Sequence, residues 1–346
     1  MYLDHAATTP MLDRARAAWA EGAKIWANSS SPHAAGRVAR SALEEARARV
    51  KAALGWEGEV IFTSGASEGL AIALGRVKAD RILVSAVEHD AVFRAAPGAE
   101  VLPVLDGAVA QEPLMRALEL PGRAIVAVQS INSETGTMML GQGHNPVVQQ
   151  VREANGLFLA DCSQSAGKLP LPDADMIVVS AHKLGGAPGV GALLVRDFAM
   201  LEPSGGQERG YRAGTENLPG ALSFAAALEA GGMESWATSE EQRLAFRRQL
   251  GERAHIVAPG VQCSHILALA APRMSATAML IRMDAIGFAI SAGSACSSGT
   301  LKQSRVLQGF GTGEDIGRRT VRVSIGWNTK PEELDAFVEA WDRVNA

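Results

Sequence analysis

The stretch MIVVSAHKLGGAPGVGALLV, residues 176–195, contains two apolar runs separated by a polar, glycine-rich segment. Each run is continuous rather than alternating, which is typical of strands covered on both faces. Lys183 lies two residues after the first run, and lysine is rarely buried without a purpose. The stretch therefore predicts two buried strands, at 176–181 and 190–195, with reactive polar residues between them.

Similar apolar runs occur upstream, where segments with helical periodicity separate them. Strands are predicted at 59–64, 81–86, 123–130 and 157–162, and helices at 37–54, 67–78 and 144–155. A regular alternation of strands and helices indicates an α/β domain with a mainly parallel central sheet.

The character of the sequence changes after about residue 235. A predicted helix at 239–253 precedes short strands near 263–270, 287–291 and 320–325, and Pro331 suits the first turn of a final helix. We therefore predict a large domain at 13–235 and a smaller α+β domain formed by residues 1–12 and 236–346.

The 346 residues are 47% hydrophobic and 20% charged, an ordinary composition for a globular chain that is long enough for two domains. The net charge of −4 gives no electrostatic footprint for nucleic acid. Basic residues in 14–24 and 37–51 are mixed with glutamate, and we predict that both stretches form solvent-exposed helix faces.

The sequence lacks the usual patterns of a signal peptide, a membrane span, a disulfide framework and a metal site. Residues 1–10 contain neither the basic region nor the apolar region that a signal peptide has. No apolar run approaches the roughly 20 residues of a membrane span. Three cysteines argue against a disulfide framework, and we expect a reducing, cytoplasmic location. Neither C-x-x-C nor H-E-x-x-H occurs, so a metal site has no support in the sequence.

Polar residues follow most of the predicted strands, and ligands collect at the carboxyl ends of parallel strands. SGASEG follows strand 59–64 and leads into a helix, so its backbone N–H groups and the Ser67 hydroxyl are a candidate phosphate cradle. The same small residues also suit an ordinary helix cap. His89 and Asn132 follow two further strands, and alone they fit structural roles.

Asp161 and Lys183 are the most informative pair, since each ends or follows a predicted buried strand. Burial lowers the pKa of a lysine and makes its amine a usable nucleophile. A lysine that binds an aldehyde, an aspartate beside a protonated ring nitrogen and a phosphate cradle together describe a site for pyridoxal phosphate. A structural ion pair between the two residues is the alternative.

Ten short motifs, in matching order over nearly the whole chain, resemble those of the cysteine desulfurases. This is the NifS/IscS-like branch of the class V aminotransferase superfamily, whose enzymes have the fold type I architecture of pyridoxal phosphate enzymes. The motifs are YLDHAATTP, NSSSPH, FTSGASEG, EHDAV, NSETG, ADCSQS, SAHK, GGQERGYRAGTEN, SAGSACSSGT and VRVSIG. Ser29 stands where the family usually has proline.

The resemblance implies a role for each candidate residue. Lys183 would bind the cofactor covalently and move the substrate α-proton, Asp161 would pair with the ring nitrogen, and His89 would stack on the ring. Gln164 would bind the phenolic oxygen. The implied phosphate ligands are Ala66, Ser67, Ser180 and His182, with Thr215 reaching the phosphate of a partner subunit in a homodimer. Arg322 would bind the substrate carboxylate, and Asn132 would assist at the substrate.

The thiol of Cys296 lies among small residues in SAGSACSSGT, residues 291–300. In the enzymes that the chain resembles, a cysteine on a mobile loop attacks the sulfur of the cofactor-bound substrate cysteine. The products are alanine and an enzyme persulfide, whose sulfur passes to an acceptor protein for iron–sulfur cluster assembly or thio-modification. Cys162 and Cys263 lie on predicted strands, and we predict that both belong to the core.

Three alternatives remain open on the sequence. A selenocysteine lyase or a class V aminotransferase would use the same pyridoxal phosphate site, although an aminotransferase has no need for Cys296. A non-catalytic scaffold with the same fold would belong to a different class of protein. The joint presence of Lys183, Asp161, His89, Arg322 and Cys296 favours the enzyme.

Overall fold

The computed structural model describes residues 1–141, 145–293 and 304–346. The strands are β1 Glu59–Thr63, β2 Arg81–Ser85, β3 Glu100–Leu102, β4 Val104–Leu105, β5 Ala108–Val109, β6 Ala124–Gln129, β7 Leu157–Asp161, β8 Met176–Ser180, β9 Gly191–Val195, β10 His255–Ile256, β11 Ile266–Ala270, β12 Ser291–Ala292 and β13 Thr320–Ser324. The α-helices are α1 Asp13–Ala23, α2 Ala34–Leu54, α3 Ala66–Arg76, α4 Asp90–Ala95, α5 Gln111–Glu119, α6 Pro146–Glu153, α7 Leu218–Leu228, α8 Glu240–Gly251, α9 Ala276–Ala285, α10 Arg305–Gly309, α11 Glu314–Arg319 and α12 Pro331–Asn345.

The larger sheet has seven strands in the order β1-β9-β8-β7-β6-β2-β3. Strands β8, β7, β6, β2 and β3 run parallel, whereas β9 runs antiparallel to both β8 and β1. The predicted mainly parallel sheet is therefore confirmed. Every residue of β6, β7, β8 and β9 is buried, which explains why these strands read as continuous apolar runs.

The smaller sheet is antiparallel, in the order β10-β11-β13-β12. The first residues of the chain join it, because Tyr2 bridges Ala289 and Asp4 bridges Ser324. Each of the two sheets is packed in hydrophobic clusters of its own. These observations support the proposed division into 13–235 and 1–12 with 236–346, and that division stays a proposal.

The longer predicted elements are present with their ends shifted by a few residues, and Pro331 opens α12 as expected. Residue 144, at the start of one predicted helix, lies outside the described residues. Four short strands among the described residues were not predicted from the sequence, namely β3, β4, β5 and β10. These strands have two or three residues each, so they are too short to show an alternating or a continuous apolar pattern.

One prediction about the surface is wrong at Arg47, which lies in the stretch 37–51 that was expected to face solvent. Its side chain is only 5% exposed and donates to Glu208 Oε2 at 2.7 Å and to the carbonyl of Val60 at 2.5 Å. Glu208 Oε2 also accepts from the backbone of Phe62. This buried pair therefore joins α2, β1 and the segment that follows β9.

We expect Glu208→Gln to reduce the free energy of unfolding by about 3 kcal/mol, because the buried charge of Arg47 would keep only the partly exposed Glu44 as a counter-ion. Glu229→Gln is the matched control. Glu229 pairs with Arg49, which lies on α2 like Arg47, and the side chains of Arg49 and Glu229 are 30% and 35% exposed. That variant should lose less than about 1 kcal/mol. Urea unfolding of both variants measures the difference, and equal losses would contradict the argument.

Candidate active site

The register of three strands brings two of the predicted motifs together. Gly191, the first residue of β9, pairs with Thr63 at the end of β1 and with Ser180 at the end of β8. A Cβ on Gly191 would lie 2.5 Å from the carbonyl of Val179 and 2.8 Å from the Cα of Gly65. The close approach that glycine permits thus sets the candidate phosphate cradle beside the segment that carries Lys183.

A cavity of about 410 Å³ lies at this edge of the sheet. Eight of the predicted site residues line it: Ala66, Ser67, His89, Asp161, Gln164, Ser180, His182 and Lys183. Asn132, Thr215 and Arg322 are not among the lining residues, and Cys296 lies outside the described residues. The structure therefore brings eight of the twelve predicted site residues to one cavity.

The N-terminus of α3 opens into the cavity. Gly65 is the N-cap residue, with φ of 150° and no side-chain cap, and nothing lies within 4 Å of the position where a Cβ would stand. Glu68 accepts from the backbone N–H of Ser64 and is itself bound by Arg212 at 3.1 Å. Glycine leaves the helix N-terminus uncovered, which is the arrangement that binds phosphate.

Asp161 is 8% exposed at the end of β7. Its Oδ1 accepts from the backbone N–H of Ser163 at 2.9 Å and from the Ser163 hydroxyl at 2.5 Å. Together the two bonds fix the plane of the carboxyl group.

The N-terminal segment, residues 4–9, forms the wall behind Lys183. Lys183 Nζ donates to the carbonyl of Ala6 at 2.6 Å, and Gln164 Nε2 donates to the same carbonyl at 2.9 Å. The backbone N–H of Thr9 donates to the carbonyl of His182 at 2.9 Å. The sequence marked this segment only through its resemblance, since it has no periodicity of its own.

Both histidines of the cavity are neutral near pH 7. Burial, followed by the charge of Lys183, lowers the pKa of His182 to about 4. Burial also lowers the pKa of His89, whose Nδ1 accepts from the backbone N–H of Ala91 at 3.2 Å. A neutral imidazole over the cavity suits stacking on an aromatic ring.

Arg322 is buried on β13, with contacts that the sequence did not indicate. One terminal nitrogen donates to Asp4 Oδ1 at 2.7 Å and the other donates to the carbonyl of Ser133 at 3.0 Å. Its buried Nε has no partner among the described residues. The guanidinium therefore keeps donors available for an anion.

Asn132 supports the neighbouring backbone. Its Oδ1 accepts from the N–H groups of Glu134 and Thr135 at 2.9 Å, and its Nδ2 donates to the carbonyl of Val87 at 3.1 Å. The predicted contact of Asn132 with substrate stays a prediction.

Thr215 is exposed on the segment between β9 and α7, which leaves it accessible to a second subunit. The next residue, Glu216, is buried and accepts from the Ser29 hydroxyl at 2.8 Å. Ser29, which replaces the proline usual in the family, thus helps to hold the segment that carries Thr215.

Glu134 is a functional candidate that the sequence analysis missed. Burial raises the pKa of its carboxyl to about 7. Its Oε2 accepts from the Ser304 hydroxyl at 2.6 Å and lies 2.6 Å from the position of a Cβ on Gly293. Nothing in NSETG distinguishes this glutamate from a turn residue, because its burial depends on contacts some 160 residues away.

Cys162 and Cys263 are buried, as predicted. Burial raises the pKa of both thiols, that of Cys162 to about 12. Neither thiol forms a thiolate near neutral pH, so neither is a candidate nucleophile.

The residues around the cavity fit pyridoxal phosphate. The uncapped α3 N-terminus, Ser180 and His182 supply donors for a phosphate, and Lys183 supplies an amine. Gln164 Oε1 is buried without a partner among the described residues, as expected of a group that awaits a ligand. Over the described ranges, no group of three or more His, Cys, Asp or Glu residues could hold a metal ion. No helix in the same part of the chain has the length and apolar character needed to cross a membrane.

The sequence and fold match those of known proteins. The sequence model of the family "Aminotransferase class-V" matches residues 1–337. The cysteine desulfurase IscS of Dictyoglomus turgidum is 32% identical over 375 aligned residues, covering 99% of this chain and 94% of that protein. The X-ray structure of a NifS-like protein from Rickettsia africae has a TM-score of 0.86 at 25% identity, covering 99% of each chain.

A structure of SspA in complex with cysteine has a TM-score of 0.78 at 25% identity, covering 95% of this chain and 99% of that one. These similarities confirm the fold class that the motifs predicted. The chain therefore belongs to the class-V aminotransferase family and, within it, to the cysteine desulfurases of the NifS and IscS type.

Proposed function

We propose that this protein is a pyridoxal phosphate-dependent L-cysteine desulfurase. The observation that carries the proposal is the single cavity shared by Lys183, Asp161, His89 and the N-terminus of α3. Sulfur would leave L-cysteine, L-alanine would be released, and Cys296 would hold the sulfur as a persulfide.

Bound pyridoxal phosphate supplies an electron sink for the charge that develops at the substrate α-carbon. The amine of Lys183, oriented by the carbonyl of Ala6, would attach the cofactor and then take the α-proton. Asp161 would keep the ring nitrogen protonated, and neutral His89 would cover the face of the ring. Gln164, with its unpaired Oε1, would complete the ring contacts.

Arg322 would hold the substrate carboxylate, for which its free Nε–H is suited. Asn132 would fix the neighbouring backbone. The Cys296 thiolate would attack the substrate sulfur, so that an S–S bond forms and the C–S bond breaks. The substrate carbon keeps the electron pair and gains a proton, which yields alanine, and no external oxidant or reductant is needed for this step.

We further propose that the enzyme is a homodimer in which Thr215 reaches the phosphate of the partner subunit. The exposure of Thr215 beside the buried Glu216 supports this. The persulfide would pass to an acceptor protein for iron–sulfur cluster assembly or thio-modification. A reduced thiol is required at Cys296, which favours a cytoplasmic location.

Lys183→Ala should remove the visible absorbance of a lysine-bound pyridoxal and reduce alanine formation by at least about a hundredfold, because the attaching amine and the proton carrier are lost. Lys168→Met is the control, since Lys168 lines a smaller neighbouring cavity that also contacts Lys183. Absorbance spectra and alanine assays of the two variants give the result. An unchanged spectrum in Lys183→Ala would exclude its role.

Cys296→Ala should bind pyridoxal phosphate normally and show cysteine-dependent spectral changes, yet form no persulfide and little alanine. The reason is that Cys162 and Cys263 are too deeply buried to form thiolates. Alanine and sulfide are measured with L-cysteine and a reductant, with L-selenocysteine in parallel. Equal activity of wild type and variant on L-cysteine would contradict the desulfurase and favour a lyase or an aminotransferase.

A further inference from the structure

The turn 86–88 connects β2 to α4 and delivers His89 to the cavity. It is not helical, so its carbonyl groups need partners from elsewhere. The central carbonyl, that of Val87, accepts from Asn132 Nδ2 at 3.1 Å and from Gln129. The two outer carbonyls have a different partner.

Arg305, the first residue of α10, binds both outer carbonyls. Its Nη1 donates to the carbonyl of Ala86 at 3.0 Å, and its Nη2 donates to the carbonyl of Glu88 at 2.8 Å. The same Nη2 donates to Asp90 Oδ1 at 2.9 Å. One guanidinium thus spans the turn from the residue after β2 to the first residue of α4.

The guanidinium is also held in position. It stacks over the ring of Phe93 on α4, with Cζ 3.7 Å from the ring centroid. The hydrogen bond from Arg305 is the main cause of the lowered pKa of Asp90, so Asp90 is charged and the ion pair persists near neutral pH. A planar fork with several donors suits this set of partners, and a lysine would not reproduce it.

The turn matters because it leads directly into His89, the N-cap residue of α4. Its Nδ1 accepts from the N–H of Ala91 and caps α4. The direction of the ring therefore follows the backbone between residues 86 and 90. That backbone is bound by Gln129 and Asn132 at Val87, and by Arg305 at Ala86 and Glu88.

We propose that Arg305 is a positioning residue, which fixes the turn 86–88 so that His89 lies in the cavity at the place of the cofactor ring. This rests on the proposed function, in which His89 covers the ring of pyridoxal phosphate. Arg305 lies on α10, an element with no other assigned role in cofactor binding.

A double-mutant cycle tests the proposal with wild type, Arg305→Gln, His89→Ala and the double variant. The readouts are the dissociation constant of pyridoxal phosphate, titrated into full-length protein stripped of cofactor, and the absorbance maximum of the bound cofactor. Arg305→Gln should weaken binding by about fivefold in the wild-type background and by less than about twofold with His89→Ala, because both changes remove the same contact. Its absorbance maximum should shift in the direction seen for His89→Ala.

Arg253→Gln is the matched control, since Arg253 pairs with Asp342 at 32% side-chain exposure, close to the 39% of Arg305. It should leave cofactor affinity unchanged. Equal effects of Arg305→Gln in both backgrounds would overturn the positioning role while leaving the proposed function intact. No effect of His89→Ala would overturn the role of His89 in the proposed function, and the positioning role with it.

Arg305→Lys repeats the cycle and keeps the positive charge if Arg305→Gln folds poorly. One ammonium group cannot bridge the carbonyls of Ala86 and Glu88 together with Asp90, so a loss of affinity dependent on His89 is again expected. Wild-type affinity in Arg305→Lys would show that charge alone suffices and would overturn the proposed bridging of the turn.

Discussion

The close contact of β9 with its neighbours at Gly191 is the constraint on which the site depends. Thr63 and Ser180 both pair with this residue, so the end of β1 and the end of β8 lie on either side of it. A side chain there would collide with the backbone of Val179 and Gly65. Only glycine lets the helix N-terminus and the lysine segment share one cavity, because any Cβ would force the strands apart.

The N-terminal segment adds a second constraint, since it binds two residues that line the cavity. The carbonyl of Ala6 accepts hydrogen bonds from Lys183 and Gln164, and the carboxylate of Asp4 binds Arg322. The same residues bridge to the smaller sheet at Ser324. The segment therefore links Lys183, which follows the larger sheet, to Arg322 of the smaller one, and this fixes the separation between the two side chains.

The sequence predicted the strands well because burial on both faces leaves a continuous apolar run. It could not predict register, so the proximity of Gly65 to Ser180 came only from the structure. It was wrong at Arg47, because a helical pattern of basic and acidic residues looks the same whether one arginine faces solvent or a buried glutamate. It missed Glu134 and Arg305, whose importance lies in contacts between residues distant in the chain.

Two buried polar atoms of the site lack partners among the described residues, namely Gln164 Oε1 and Arg322 Nε. Leaving such groups unpaired costs about 1–3 kcal/mol each, so folding alone gives no reason to keep them. One belongs to a residue that lines the cavity, and the other to the guanidinium held by Asp4 and Ser133. Their cost is offset when a ligand supplies the missing partners, so the same atoms would be a source of affinity for a bound ligand.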